Sequence, residues 1–292
     1  FLFKLSDTKN KLSLTLNRMF DLHPKLIDFD LKRLKDLMDK FDNPQNTLNN
    51  VIHVAGTNGK GSTATFLKEI LEAHDLSVNI YTSPHLIKFN ERIRINKKLI
   101  SDENLINILE QVELKNNCNP ITFFEITTAA AFIAFKRFPA DINIFETGLG
   151  GRLDATNIIE NKKLTIITKL GFDHEEFLGN NIQKIAKEKA GILRKNIPVV
   201  IAKQSKDEAL KTLINAAKDL NSMPIKVKTI SKNTKLGLDG DFQYENASTA
   251  FTAANFLIPS ISMSKVRQAL AKTYWSGRIQ KLNDGKIFNL RK

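Results

Sequence analysis

Val51-Ile52-His53-Val54-Ala55-Gly56-Thr57-Asn58-Gly59-Lys60-Gly61-Ser62 is the stretch from which the rest of the chain can be read. A short, mostly apolar run leads straight into a glycine-rich loop, and Phe66, Leu67, Ile70 and Leu71 then repeat at helical spacing. That is strand, loop, helix. Glycines in such a loop let the backbone bend until several N–H groups and the N-terminus of the next helix face one anion. Lys60 adds a positive charge for the outer phosphates. The spacing departs from G-x-x-x-x-G-K-[ST], since Gly61 separates Lys60 from Ser62 and Gly56 lies closer to the lysine. Gly56, Thr57, Asn58, Gly59, Lys60, Gly61 and Ser62 are therefore the candidate nucleotide-binding residues; a glycine-rich turn with a solvated lysine is the ordinary alternative.

Working outward, Leu31, Leu34, Leu37, Met38 and Phe41 predict an amphipathic helix from after Asp28 to about Lys40, stopped by Asn43-Pro44. Ser77–Tyr81 reads as a second strand that ends in Thr82-Ser83-Pro84-His85. Helices are expected over Asp102–Lys115 and Phe124–Arg137, and strands over Ile142–Glu146, Leu164–Thr168 and Val199–Ile201. This alternation predicts an α/β fold with a mostly parallel sheet flanked by helices, of the P-loop NTPase kind. Beyond Lys226 the pattern weakens, then helices are expected at Ala247–Leu257 and Lys265–Tyr274, with a short strand at Lys286–Leu290.

With 42% hydrophobic and 26% charged residues among 292, the chain has the profile of a folded protein with a sizeable core. No apolar run approaches the roughly 20 residues that span a bilayer, so no transmembrane helix or membrane partner is expected. The lone Cys118 allows neither an internal disulfide nor a thiolate metal cage, which points to the cytoplasm. A net charge of +13 suits polyanions, but the lysines are scattered and no basic helix interleaves with aromatics, so small anions are favoured over nucleic acid. The chain opens at Phe1 and is expected to be cut from a longer frame.

Four stretches carry a more specific resemblance. Ala55–Ser62, Ser83-Pro84-His85-Leu86, Glu146-Thr147-Gly148-Leu149-Gly150-Gly151-Arg152-Leu153-Asp154-Ala155-Thr156-Asn157 and Glu188-Lys189-Ala190-Gly191-Ile192 resemble, in order and spacing, the motifs of the folylpolyglutamate synthase and dihydrofolate synthase family within the Mur ligase group. The resemblance runs from about Leu22 to Gln280 and is carried most specifically by the Gly148–Asn157 block. It implies the Mur ligase central domain over 46–280. It also implies a helical segment with a pterin-covering loop over 1–45, and at 281–292 a linker or the start of a second, Rossmann-like domain that is otherwise absent.

The activity implied is an ATP-dependent ligase, acting as a monomer, that joins L-glutamate to dihydropteroate or a reduced folate through an acyl phosphate. A nucleotide-binding remnant without turnover and a Mur-type ligase acting on another carboxylate remain the alternatives. Such chemistry rests on positioning and charge neutralisation. By resemblance, Ser83 and Glu146 hold the Mg²⁺ of the nucleotide and His174 belongs to a second metal site, although imidazole is an unusual partner for Mg²⁺. Lys189 matches a lysine that is carbamylated in the family and would then ligate the second metal; on its own it reads as a solvated helix lysine. Lys60, Lys189 and His174 are thus the expected catalytic set. The resemblance also leaves room for a monovalent cation.

Asn246, in Gly240–Ala247, matches a residue that reads the adenine edge, while a helix N-cap explains it equally well. Arg278, in Trp275-Ser276-Gly277-Arg278, matches an arginine near the nucleotide, with Ser276 replacing a proline. His23 and Asp28 fall in the pterin-covering segment. Phe124 offers a stacking face for the ring or is an ordinary core phenylalanine. Arg152 and Asp154 complete the expected substrate residues.

Overall fold

The computed structural model describes residues 2–21, 28 and 30–275. In chain order these form α1 (Leu2–Phe20), α2 (Lys32–Asp39), β1 (Val51–Ala55), α3 (Lys60–Ala73), β2 (Val78–Tyr81), β3 (Ile93–Ile95) and β4 (Lys98–Leu99). They continue as α4 (Asp102–Asn116), α5 (Phe123–Arg137), β5 (Ile142–Glu146), β6 (Leu164–Ile167), α6 (Glu175–Leu178), α7 (Ile182–Ala190) and β7 (Val199–Ile201). The last elements are α8 (Asp207–Asp219), β8 (Pro224–Ile225), α9 (Phe242–Leu257) and α10 (Met263–Lys272). The strand expected at 286–290, the linker expected at 281–292, His23 and Arg278 lie outside the described residues.

One sheet runs β4-β3-β2-β5-β1-β6-β7-β8. From β2 to β8 every pair is parallel, and the β3–β4 hairpin closes the other edge antiparallel. Parallel strands covered on both faces bury nearly every side chain, as the fully buried β1 and β5 show. Alternate residues feed opposite layers. Tyr81 and Phe145 pack with α1, α2, α4 and α5, whereas their neighbours Ile80 and Ile144 pack with α3, α9 and α10. A third cluster joins Ala55, Ile167 and Val199 to α7 and α8.

The sequence pattern missed the β3–β4 hairpin. Its two-residue turn is Asn96-Lys97, with Asn96 left-handed at φ 54°, and Ile93 and Ile95 do alternate with Arg94. In α9, Phe242 starts the helix ahead of the expected Ala247, so Asn246 lies inside it and is not its N-cap. α10 is shifted towards its N-terminus because Ser262 caps it, its hydroxyl accepting from the Lys265 backbone N–H at 3.4 Å.

Parallel strands end on one edge, and β1 leaves β5 on one side and β6 on the other. The loops that follow β1, β2, β5 and β6 therefore meet above the crevice where α/β folds collect ligands.

Candidate active site

The loop after β1 is held open by its neighbours. The N–H groups of Thr57 and Asn58 both donate to the carbonyl of Lys169, at 3.1 and 3.0 Å, and the Thr57 hydroxyl donates to Gly171 O. Gly59 is the N-cap of α3 with φ 82°, and no side chain caps that helix. Its first-turn N–H groups therefore stay available to an anion. A Cβ at Gly59 would also lie 2.2 Å from Asn246 Oδ1, so both backbone conformation and space require glycine.

Two lysines converge beneath this loop. Lys60 Nζ donates to Gly56 O at 3.2 Å, and Lys189 Nζ, from α7, donates to the same oxygen at 2.8 Å. Lys189 is 3% exposed, which excludes the solvated-lysine reading. Burial first, and the charge of Lys60 second, push its ammonium down to about 7, against opposing attraction from Asp154 and Asp173.

Across the crevice, the Ser83 N–H donates to Glu146 Oε2 at 3.4 Å, and Glu146 is buried at the end of β5. A Cβ added to Gly61 would come within 3.5 Å of the same carboxylate oxygen. The first turn of α3, Ser83 and Glu146 thus adjoin one another. A serine hydroxyl and a carboxylate are oxygen donors of the kind a hard divalent cation takes.

On the far side of Ser83 lies a cavity of about 280 Å³, walled by Pro84, Phe124, Leu149, Leu153 and Ala155, with Asp28, Asp30 and Glu125 at its polar margin. Phe124 approaches the backbone so closely that a Cβ at Gly148 would meet its Cζ at 2.4 Å. Asp154 also borders the cavity, but its carboxylate is committed: Oδ2 accepts from Leu149 N and Oδ1 from Thr156 N and the Thr156 hydroxyl. Burial raises its pKa. Asp154 therefore shapes the loop that forms the wall.

The other expected residues are arranged differently. Asn246 abuts Gly59, with its amide donating to Gln243 Oε1 at 2.9 Å while Gln243 donates to Ser62 Oγ at 3.4 Å. That triad fixes the side of the phosphate loop. Arg152 is 56% exposed, forms an ion pair with Glu188 at 3.0 Å and does not line the cavity. His174 is 48% exposed and lies 3.7 Å from its neighbour Asp173, whose charge reaches Lys189. Among the described residues no three His, Cys, Asp or Glu side chains gather in a metal-binding group. None of their helices is long and apolar enough to cross a membrane. Arg33, which bridges Asp28 and Glu125 of the cavity margin, escaped the sequence reading because Glu125, its partner across the cavity, lies 92 residues on.

Known proteins resemble the chain over most of its length. Residues 54–265 match the Mur ligase middle domain. Over 284 residues the chain is 37% identical to the dihydrofolate synthase/folylpolyglutamate synthase of Bacillus subtilis, covering 86% of this chain. It spans 65% of that relative's length. The fold superposes on an FPGS-AMPPCP-folate complex with a TM-score of 0.83 at 29% identity, covering 93% of this chain and 74% of the other. Superposition on E. coli FolC in complex with DHPP and ADP also gives 0.83 at 29% identity, covering 94% and 68%.

Proposed function

The chain belongs to the Mur ligase family, among the dihydrofolate and folylpolyglutamate synthases, and on that premise we propose that it carries the ATP-binding part of a ligase that joins L-glutamate to a pterin-bearing carboxylate. The observation that carries this reading is the position of Ser83, which borders the aromatic cavity on one side and contacts Glu146 beside the phosphate loop on the other. A flat ring against Phe124 would direct its carboxylate tail towards that junction. FPGS and FolC have been solved with folate and DHPP, respectively, each beside a nucleotide.

In the proposed reaction the acceptor carboxylate takes the terminal phosphoryl group of ATP, and ADP leaves. The amino group of L-glutamate then displaces phosphate from the acyl phosphate and loses a proton as the amide forms. The first-turn N–H groups of α3 hold the phosphates, and Lys60 exchanges Gly56 O for a phosphate oxygen. Ser83 and Glu146 would hold Mg²⁺, which supplies charge neutralisation between the phosphate oxygens. Asn246, fixed against Gly59, flanks the nucleotide on the α9 side.

Lys189 is the proposed carbamylation site. An amine with its pKa near 7 is partly neutral at physiological pH and can add carbon dioxide, releasing one proton. The product replaces a cation beside Lys60 with an anion, which removes the repulsion between them. That carbamate, with His174 from the adjoining turn, would supply the second metal site. In this reading residues 46–280 are the ATP-binding domain, 1–45 are a helical segment with a pterin-covering loop, and the protein works as a cytoplasmic monomer.

The test is phosphate release from MgATP, with L-glutamate and dihydropteroate or a reduced folate supplied together and singly. Release that requires both is the expected result. Release indifferent to either one overturns the ligase reading.

A further inference from the structure

Arg33 touches three carboxylates that border the aromatic cavity. Its guanidinium lies 3.1 Å from Asp28, 3.4 Å from Asp30 and 3.3 Å from Glu125. Asp28 and Asp30 belong to the stretch that bounds one side of the cavity. Glu125 belongs to the first turn of α5, which bounds the other with Thr122 and Phe124. Glu125 is locked in place there: its Oε2 accepts from the Thr122 N–H at 2.7 Å while Thr122 Oγ1 accepts from the Glu125 N–H, a capping box. Asp30 is anchored as well, accepting from the Lys32 N–H at 2.8 Å at the start of α2.

The contact between Arg33 and Glu125 runs through Nη2, which lies 3.3 Å from both carboxylate oxygens. Arg33 Nε is buried and has no hydrogen-bond partner among the described residues. The guanidinium thus spends its two outer nitrogens on carboxylates from both sides of the cavity, Nη1 on Asp28 and Asp30 and Nη2 on Glu125.

We propose that Arg33 is the positioning residue that sets affinity for the acceptor's ring: by holding Asp28 and Asp30 on one margin and Glu125 on the other, it fixes the spacing of the cavity that a flat heteroaromatic carboxylate fills. This rests on the reading of the cavity as the acceptor site. Arg33 acts through the cavity walls, so its contribution falls on ring binding and leaves the phosphate loop untouched.

Arg33→Lys keeps the charge that Glu125 needs but cannot form a fork, so it separates geometry from charge. Calorimetric titration should show dihydropteroate bound about tenfold more weakly by Arg33→Lys than by the parent, with the MgAMPPCP affinity unchanged. The double variant Arg33→Met/Glu125→Gln removes the buried charge along with its partner. It should remain folded, bind MgAMPPCP normally and bind dihydropteroate as weakly as Arg33→Lys or more so. Ring binding by Arg33→Lys within about twofold of the parent would overturn the inference, as would equal losses for ring and nucleotide. Failure of the parent itself to bind dihydropteroate, while binding MgAMPPCP, would instead overturn the acceptor reading on which the inference rests.

Discussion

Lys189 and Lys60, far apart in sequence, donate to a single acceptor, the carbonyl oxygen of Gly56, at 2.8 and 3.2 Å. Two ammonium groups on one oxygen in a buried setting repel each other, and the more deeply buried Lys189 is the one driven towards neutrality. The phosphate loop is thus built over a lysine prepared to change its charge.

The first expected consequence is chemical. Under ¹³C-bicarbonate the protein should show a carbamate carbon signal that grows as pH rises through about 7 and is missing from Lys189→Arg and Lys189→Ala. NMR at several pH values checks this. A signal that persists in Lys189→Ala would assign the carbamate elsewhere.

A second consequence concerns stability. The folded-state pKa of Lys189 lies near 7 and its ordinary value is 10.5, so across that window the unfolded chain binds the extra proton. The contribution of Lys189 therefore makes stability rise with pH through the window, and its cost is fully present below pH 7. Lys189→Met should be at least as stable as the parent near pH 7 and should show a flatter dependence between pH 7 and 10. Urea unfolding with carbon dioxide excluded measures both.

Substitutions in the phosphate loop should separate binding from folding. Lys60→Ala removes a charge-assisted contact worth about 1.5–3 kcal/mol, so MgAMPPCP should bind roughly tenfold to a hundredfold more weakly with the melting temperature little changed. Gly59→Ala, by contrast, places a Cβ 2.2 Å from Asn246 Oδ1 at φ 82°. It should cost about 1–3 kcal/mol of stability as well as nucleotide affinity. Calorimetry and thermal unfolding distinguish the two variants.

Gly148→Ala should act on the other ligand. Its Cβ would fall 2.4 Å from Phe124 Cζ and push the ring into the acceptor cavity. Dihydropteroate binding should weaken by at least about tenfold, while nucleotide binding stays within the error of the parent. Equal binding of dihydropteroate would show that Phe124 does not face the acceptor.

Much of this architecture is legible because it is local. The Val51–Ala55 run, the glycine spacing and the apolar repeat of α3 specify strand, cradle and helix in consecutive residues, and the structure repeats them. Ser83 and Glu146 stand at strand ends, where a parallel sheet delivers its ligands, so their meeting follows from topology. Lys189 is different. Between Glu188 and Ala190 it resembles any surface lysine, and only the packing of α7 against the loop after β1 buries it. Arg33 is less visible still, since its partners are Asp28, Asp30 and, 92 residues on, Glu125. A three-carboxylate contact across a cavity leaves no periodic trace. The hairpin of β3 and β4 was hidden by its brevity, and the early start of α9 by polar residues that serve the phosphate loop.

Two neighbouring sites that bind independently recognisable ligands are the core of the proposed function, and calorimetry tests them most directly. MgAMPPCP and dihydropteroate should each bind the parent, and each should bind in the presence of the other. Lys60→Ala should lose the nucleotide alone and Gly148→Ala the pterin alone. Nucleotide binding undiminished in Lys60→Ala, or dihydropteroate binding undiminished in Gly148→Ala, would contradict the assignment of that ligand to its site.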